Sequence, residues 1–489
     1  MTHPRSEVDI PLCVDLDGTL VRTDTFIESL LAILRYHVWH LFVIPVWLFR
    51  GLPYAKRKIH SLHQINVALF PYRQDVLEII KRERSKGRRT VLVTASNQEL
   101  ADKVAGHLEL FDEVYGTNFD LNLKGKAKAD FLTERFGPEG YDYIGDSRAD
   151  TPVWRNARTA ISVNASAART TSRKIELLPR TGDRKRTVVV CAKTMRVHQW
   201  VKNILVLVPL LTSQKIVDPH LLLRCLAATF ALCCLASSTY IFNDLLDLES
   251  DRVHRTKRFR PIPSGQISFL NALALSFFLA ALGIVISARI SKVTVTLCLL
   301  YVFCTFTYSL VLKRKLLVDT LMLAGLYTLR VLIGGAATGI PISFWLLTFS
   351  IFVFFSLAVI KRVVELSNAS SGSVVSGRGY RSGDTYVLTD LGISSAFVAT
   401  AVFALYINSK EVQLLYVNPK VLWALCPLIL YWFSRVWVLA LRGDIHDDPI
   451  IFVFRDRMSY LLATIALASL VMAKFGHLPY IIERYIYFE

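Results

Sequence analysis

The stretch SSTYIFNDLLDLESDRVHRTKRFRPIPSG, residues 237–265, begins inside an apolar run, passes through Asn243, Asp244, Asp247 and Asp251 and then through a run of cations. At roughly 100° per helical residue, Asn243, Asp247 and Asp251 fall within about 80° of one another, and Asp244 about 20° further round. One face of a helix at the end of a span would then carry three carboxylates and an amide, oxygen ligands suited to Mg2+. The plain alternative is an acidic helix end meeting a basic loop. Against it, Asn243 and Asp244 directly follow LASSTYIF, and polar groups at membrane depth are costly unless they face a cavity or a site. His254, Lys257, Arg258 and Arg260 lie just beyond and can bind oxygens of a diphosphate.

Outward from this stretch, the chain beyond residue 200 is a series of apolar runs long enough to cross a bilayer. They lie near 201–214, 220–242, 269–289, 293–312, 316–338, 342–360, 391–407, 419–440 and 458–475, so an all-α polytopic membrane domain of about nine transmembrane helices is expected, the first one short. Composition agrees. The 489 residues are 53% hydrophobic with a mean hydropathy of +0.40, more apolar content than soluble cores readily bury. Disordered, collagen-like and disulfide-rich secreted chains are excluded.

The net charge of +18, from 57 Lys+Arg against 39 Asp+Glu, can be topological or can mark a site for phosphates. The basic residues gather in alternate loops: Arg252 to Arg260, then Lys313 to Lys315, then Lys361, Arg362, Arg378 and Arg381, then Arg442, Arg455 and Arg457. By the positive-inside rule these loops are cytoplasmic, which places an integral protein in a bacterial inner (plasma) membrane with its N-terminal domain and active sites on the cytoplasmic side. Eight cysteines show no CxxC spacing and read as small core residues of a reducing compartment. No signal peptide is read at the start, and no nucleic-acid partner is expected.

Before residue 180, strand-like runs such as PLCVDL, RTVLVTAS and YDYIGDS alternate with polar helical stretches, the rhythm of an α/β Rossmann-like domain with a parallel sheet. The basic stretch LPRTGDRKRT (178–187) closes it. The expected division is 1–180 for this domain, 181–195 for a basic linker and 196–489 for the membrane domain. Residues 36–54, apolar but interrupted by His40, Pro45 and Arg50, read as helix in a cap or on the membrane surface.

DLDGTL puts Asp15 and Asp17 at a strand end before Gly18. One carboxylate can serve as nucleophile and the other as acid and base beside Mg2+. Thr94 and Ser96 end the next strand run, Lys128 offers a fixed positive charge with Lys126 as its alternative, and Asp146 and Asp150 can complete a metal shell. These four segments, in this order, resemble the haloacid dehalogenase-like phosphatases. The resemblance implies that Asp15 forms an aspartyl-phosphate and Asp17 handles the protons. Thr94 and Lys128 would hold the phosphoryl group, with Asp15, Asp17, Asp146 and Asp150 around the Mg2+.

NDxxDxxxD with the basic stretch that follows resembles the first aspartate-rich motif of the UbiA-type intramembrane prenyltransferase superfamily. RVHQWVKN (196–203), with Lys202 and Asn203, and TYSLVLKRKLLVD (307–319), with Tyr308 and Lys313, are similar to further segments of it. The second acidic cluster of its aromatic prenyltransferases is missing; IKRVVELSN (360–368) and GYRSGDTYVLTD (379–390) stand there, offering Lys361, Arg362 and Tyr386. That pattern, with HDDPIIFVFRDR (446–457), is similar to the decaprenyl-phosphate phosphoribosyltransferases. The resemblance implies Mg2+-dependent transfer of phosphoribose from phosphoribosyl pyrophosphate to a polyprenyl phosphate lipid in the bilayer, with the fused phosphatase removing the 5-phosphate afterwards. Two other readings stay open: a prenyltransferase taking a prenyl diphosphate to a quinone or haem-type acceptor, and a transporter or lipid-binding scaffold whose carboxylates form an ion pathway.

Overall fold

The computed structural model describes residues 9–118, 122–164, 175–178, 184–367, 379–445 and 449–475. The backbone divides into two units, one of residues 1–195 with 240–277 and one of residues 196–239 with 278–489.

The first unit is built on six parallel strands: β1 (Leu12–Val14), β2 (Thr90–Asn97), β3 (Glu113–Thr117), β4 (Asp142–Gly145), β5 (Ala160–Ser162) and β6 (Glu176–Leu177), in the order β3-β2-β1-β4-β5-β6. Successive side chains of a strand point to opposite faces, so each strand feeds two cores. Leu12, Val14, Leu92 and Ile144 pack with α4 (Gln74–Ser85) and α5 (Gln98–Leu108); Cys13, Val91, Val93 and Tyr143 pack with α6 (Lys126–Phe136) and α7 (Thr151–Asn156). The result is a sheet with helices on both faces, the α/β architecture expected. Strand β1 is central, so the residues after Val14 emerge between the ends of β2 and β4, where open parallel sheets bind ligands.

Between β1 and β2 the chain inserts α1 (Thr25–Tyr36), α2 (Ile44–Phe49) and α3 (Leu52–Leu62), which gather Ile33, Ile44 and Ile59 into a small core of their own. Asp24 caps α1, accepting Phe26 N and Ile27 N. Residues 36–54 are broken three times, at His37, at the Val43–Pro45 junction and at Gly51 (φ 107°), so this apolar stretch does not run as one helix.

Eight described helices are long and apolar enough to cross a membrane: Pro219–Leu246, Phe269–Ile290, Lys292–Leu310, Val318–Thr338, Phe344–Ser367, Thr385–Ile407, Pro419–Arg442 and Arg457–Phe475. The ninth expected span, 201–214, is instead a 3-10 stretch, Val197–Leu207, followed by the short helix Val208–Thr212. Its carbonyl at Val206 comes so close to helix Val318–Thr338 that a Cβ on Gly334 would lie 2.0 Å from it. The second unit's largest core joins helices Val318–Thr338, Phe344–Ser367 and Leu425–Arg442 through Tyr327, Phe354, Val359, Ile360 and Trp437.

Candidate active sites

At the end of the sheet, Asp15, Asp146 and Asp150 bring ligand oxygens within 4.8 Å of one another. Gly18, at φ 74°, makes room for them, since a Cβ there would lie 2.2 Å from Asp146 Oδ2. Lys128 of α6 is buried and donates to Asp15 Oδ1 at 2.8 Å and to Tyr143 Oη at 2.9 Å; Tyr143 Oη donates to Asp150 Oδ1 at 2.9 Å. Asp150 Oδ2 accepts Asp146 N, Ser147 N and Ser147 Oγ at 3.1–3.3 Å. Lys126, the alternative cation, is exposed, as is Lys124.

The electrostatics fit a cation. Burial, opposed by Lys128, pushes the Asp15 carboxyl up to about 7. Burial, then Asp15 and Asp150, push Asp146 up to about 8. Burial disfavours the Lys128 ammonium, but Asp15 and Asp150 outweigh it and raise its pKa. Three carboxylates against one buried ammonium leave negative charge for a divalent ion to neutralise.

Asp17 stands outside the triplet. Its Oδ1 accepts the backbone N–H of Thr25, at the start of α1, at 2.8 Å, and its Oδ2 accepts Ser96 Oγ at 2.6 Å. Thr94 is fully buried and its hydroxyl accepts Ser96 N at 3.0 Å, so of the two hydroxyls it is Ser96 that touches a carboxylate of the site. Tyr143, inside the strand run YDYIGDS, and Thr25 carry no local sequence signal for these contacts.

The acidic segment also belongs to the first unit from Tyr240 onward. It is not one continuous helix. Helix Pro219–Leu246 ends before Asp247, whose backbone (φ −93°, ψ 19°) leads into a second short helix, Leu248–Val253. Aspartate competes for local backbone groups and favours such breaks, so the single face drawn from a helical wheel is bent. Arg260 Nη1 bridges Asp244 Oδ1 at 3.0 Å and Asp251 Oδ2 at 2.8 Å, and Lys257 Nζ is 3.7 Å from Asp251 Oδ1. Asp247 Oδ1 pairs with Arg35 Nη2 at 3.0 Å. Asn243 Oδ1 is buried with no hydrogen-bond partner among the described residues, an acceptor left open for a cation or donor. His254 and Arg258 are exposed.

In the second unit, Asn203 is buried between Cys233 Sγ, to which its Nδ2 donates at 3.2 Å, and Arg330, whose Nε donates to its Oδ1 at 3.0 Å. Lys202 is buried beside it in the chain, Lys313 and Lys361 are half-buried, and Tyr386 is exposed. Arg362 is 1% exposed: its Nε donates to Asp319 Oδ2 at 2.6 Å, its Nη2 to Tyr308 Oη at 3.1 Å, and it pairs with Glu365. Asp319, also an acceptor for Tyr380 Oη, is the buried anion that sequence reading passed over. His446, Asp447, Asp448 and Arg378 lie outside the described residues.

With this geometry in hand, comparison with known proteins is decisive for family. A model of the UbiA prenyltransferase family matches residues 204–459, over half of the chain. The chain belongs to the UbiA prenyltransferase family. Eight apolar helices and this membership make it an integral membrane protein. A haloacid dehalogenase-like hydrolase model matches residues 48–155, which include Thr94, Lys128, Asp146 and Asp150 and begin after Asp15 and Asp17. The fused sheet domain is haloacid dehalogenase-like in fold, and the two families together make the chain an enzyme.

Among relatives of this UbiA-family chain, a Sinorhizobium fredii protein called y4nM, described only as uncharacterized, is 36% identical over 95% of this chain and 91% of its own length. The nodulation protein NoeC of Azorhizobium caulinodans is 33% identical over 54% of this chain and 86% of its own. The decaprenyl-phosphate phosphoribosyltransferase of Mycobacterium tuberculosis is 30% identical over 57% of this chain and 91% of its own.

Proposed function

We propose that this UbiA-family chain transfers phosphoribose from phosphoribosyl pyrophosphate to a polyprenyl phosphate and then removes the 5-phosphate of the lipid-linked product. The observation that carries the reading is the acidic segment itself. Asp244 and Asp251 are bridged by Arg260, with an open Asn243 acceptor beside them, in a chain that covers 91% of a decaprenyl-phosphate phosphoribosyltransferase at 30% identity. In domain terms, residues 1–180 carry the phosphatase, 181–195 the linker and 196–489 the membrane-spanning transferase, with the N-terminal domain and both active sites on the cytoplasmic side of a bacterial inner membrane.

In the transfer, an oxygen of the acceptor phosphate bonds to the anomeric carbon as the bond to pyrophosphate breaks. His254, Lys257, Arg258 and Arg260 meet the donor's phosphates, and in the second unit Lys202, Asn203, Tyr308, Lys313, Lys361 and Tyr386 are the proposed substrate-binding groups, with Arg362 holding the Tyr308 hydroxyl. In the hydrolysis, Asp15 attacks phosphorus and the bond to the ribose oxygen breaks, with Asp17 protonating the alkoxide. A water that gives its proton to Asp17 then frees Asp15 and inorganic phosphate. Lys128 and Thr94 hold the phosphoryl oxygens, and Ser96, near the end of β2, holds Asp17. Mg2+, held by Asn243, Asp244, Asp247 and Asp251 in one place and by Asp15, Asp146 and Asp150 in the other, would supply charge neutralisation of diphosphate and phosphoryl oxygens.

The test incubates full-length protein in nanodiscs with labelled phosphoribosyl pyrophosphate and polyprenyl phosphate. Labelled lipid is expected from the wild type, and a lipid still bearing its phosphate from Asp15→Asn. Labelled lipid from prenyl diphosphate and none from the ribosyl donor would overturn the reading.

A further inference from the structure

The acidic segment is anchored on the phosphatase fold by contacts that neither reaction uses. Glu28 on α1 is 2% exposed and Arg252 is 7% exposed. They form a two-contact pair in which Arg252 Nη1 reaches Glu28 Oε1 and Nη2 donates to Oε2 at 3.1 Å, while Thr23 Oγ1 donates to the same Oε2 at 3.2 Å. Arg252 Nε also donates to the Pro263 carbonyl at 3.1 Å. The planar fork of a guanidinium fixes both partners at once, so the chain from 252 to 263 is closed into a loop held on α1. Arg260, which bridges Asp244 and Asp251, lies within that loop.

Two further pairs act on the same segment. Arg35, at the far end of α1, holds Asp247 at 3.0 Å, and His63 Nε2 lies 3.0 Å from Glu249 Oε1. Just past the loop, a Cβ on Gly265 would lie 2.6 Å from Arg22 Cβ, so the backbone runs against residue 22. A buried ion pair is an inefficient source of stability compared with apolar packing, and its best-attested use is to specify one arrangement. The helix that carries Glu28 and Arg35 begins at Thr25, whose N–H holds Asp17.

We propose that Glu28 and Arg35 are positioning residues for the transfer reaction: through Arg252 and Asp247 they hold the acidic residues and Arg260 in register, which makes the phosphatase domain an obligate part of the transfer site. The inference rests on reading residues 243–260 as that site.

The experiment uses the full chain in nanodiscs, with Glu28→Ala, Arg252→Ala, the two combined, and Arg35→Met. Three quantities are measured: kcat and KM for phosphoribosyl transfer, Mn2+ affinity by electron paramagnetic resonance in an Asp146→Asn background, and hydrolysis of p-nitrophenyl phosphate. Misplacement of reacting groups should lower transfer on the order of tenfold or more in each single variant. The combined variant should be no worse than the singles, because both remove one interaction. Mn2+ affinity should fall in parallel while hydrolysis stays within about twofold. Unchanged transfer and Mn2+ affinity would overturn the proposal. If Glu28→Ala loses hydrolysis as well, the fold has been damaged and Arg35→Met decides. If the wild type makes no labelled lipid, it is the functional reading that fails, and the Mn2+ series alone decides the positioning role.

Discussion

At the sheet end, Asp15, Asp146 and Asp150 converge with one ammonium, Lys128, which pairs with Asp15 at 2.8 Å and Asp150 at 3.7 Å and leaves Asp146 without it; in the acidic segment, Asp244 and Asp251 share the guanidinium of Arg260 and Asp247 has that of Arg35. The first cluster is short of positive charge: burial first, and neighbouring carboxylates after it, raise the pKa values of Asp15 and Asp146. The second is already balanced by cations brought in from a loop and from α1. The difference teaches that two acidic motifs of similar composition can respond differently to perturbation. The sheet-end cluster should respond to protons, and the segment cluster to loss of an arginine.

The largest effect expected is at Asp15, because a nucleophile has no substitute. Asp15→Asn should lower hydrolysis by on the order of a thousandfold or more, while transfer continues and a phosphorylated lipid accumulates. Lipid extraction and chromatography of labelled product measure both. Hydrolysis that persisted at near wild-type rate would remove Asp15 from its role. Next in size is Arg260→Gln. Charge-assisted hydrogen bonds contribute about 1.5–3 kcal/mol each, which corresponds to roughly 10- to 100-fold in transfer kcat/KM. Hydrolysis of p-nitrophenyl phosphate should be unmoved. Equal loss of both activities would mean that the two clusters are not separable in this way.

Much of this contrast was legible in the sequence wherever chemistry is written locally. DLDGTL, YIGDSRAD and Lys128 are short-range signals at strand ends and at the start of a helix, and the parallel sheet brings them together. The α/β rhythm and eight of the expected spans were legible for the same reason. The run at 201–214, expected as a short span, is a 3-10 stretch and a short helix, because hydropathy alone does not register that Lys202 and Asn203 within it are buried or that Pro209 starts a new helix. The helical wheel placed Asp247 on a continuous face, since a wheel presumes a helix that does not stop. The pairs Glu28–Arg252 and Arg35–Asp247 join residues more than 200 positions apart, and no local pattern announces such a partner.

Protons should separate the clusters next. Asp15 and Asp146 have folded-state values near 7 and 8 against an ordinary 3.8, both raised first by burial. Between about pH 4 and pH 8 the folded state therefore binds more protons than the unfolded one, so their contribution to stability is complete below about 4 and is lost as pH rises through 7 to 8. Full-length protein stripped with EDTA should show an apparent Tm that falls across this window. A divalent cation should flatten the fall by neutralising the triplet, and Asp146→Asn should flatten it without any cation. A Tm of stripped protein that climbs with pH over the same range would contradict the sheet-end half of the comparison.

The smallest effect expected is at Tyr143, and it tests how the lone ammonium is held. Its hydroxyl accepts from Lys128 and donates to Asp150, linking the two sides of the triplet. Tyr143→Phe removes that link but leaves Lys128 on Asp15 and leaves Asp150 Oδ2 its three donors from residues 146 and 147. Of the two hydrogen bonds lost, the one from Lys128 bears on the group that meets the phosphoryl oxygens; at about 1 kcal/mol its loss should lower hydrolytic kcat by roughly fivefold, with transfer unaffected. A loss approaching that of Asp15→Asn would mean that Lys128 cannot hold its place without the tyrosine. The repulsion among the carboxylates would then be restrained by a two-residue device, and the sheet-end cluster would resemble the arginine-held segment more than its carboxylate count suggests.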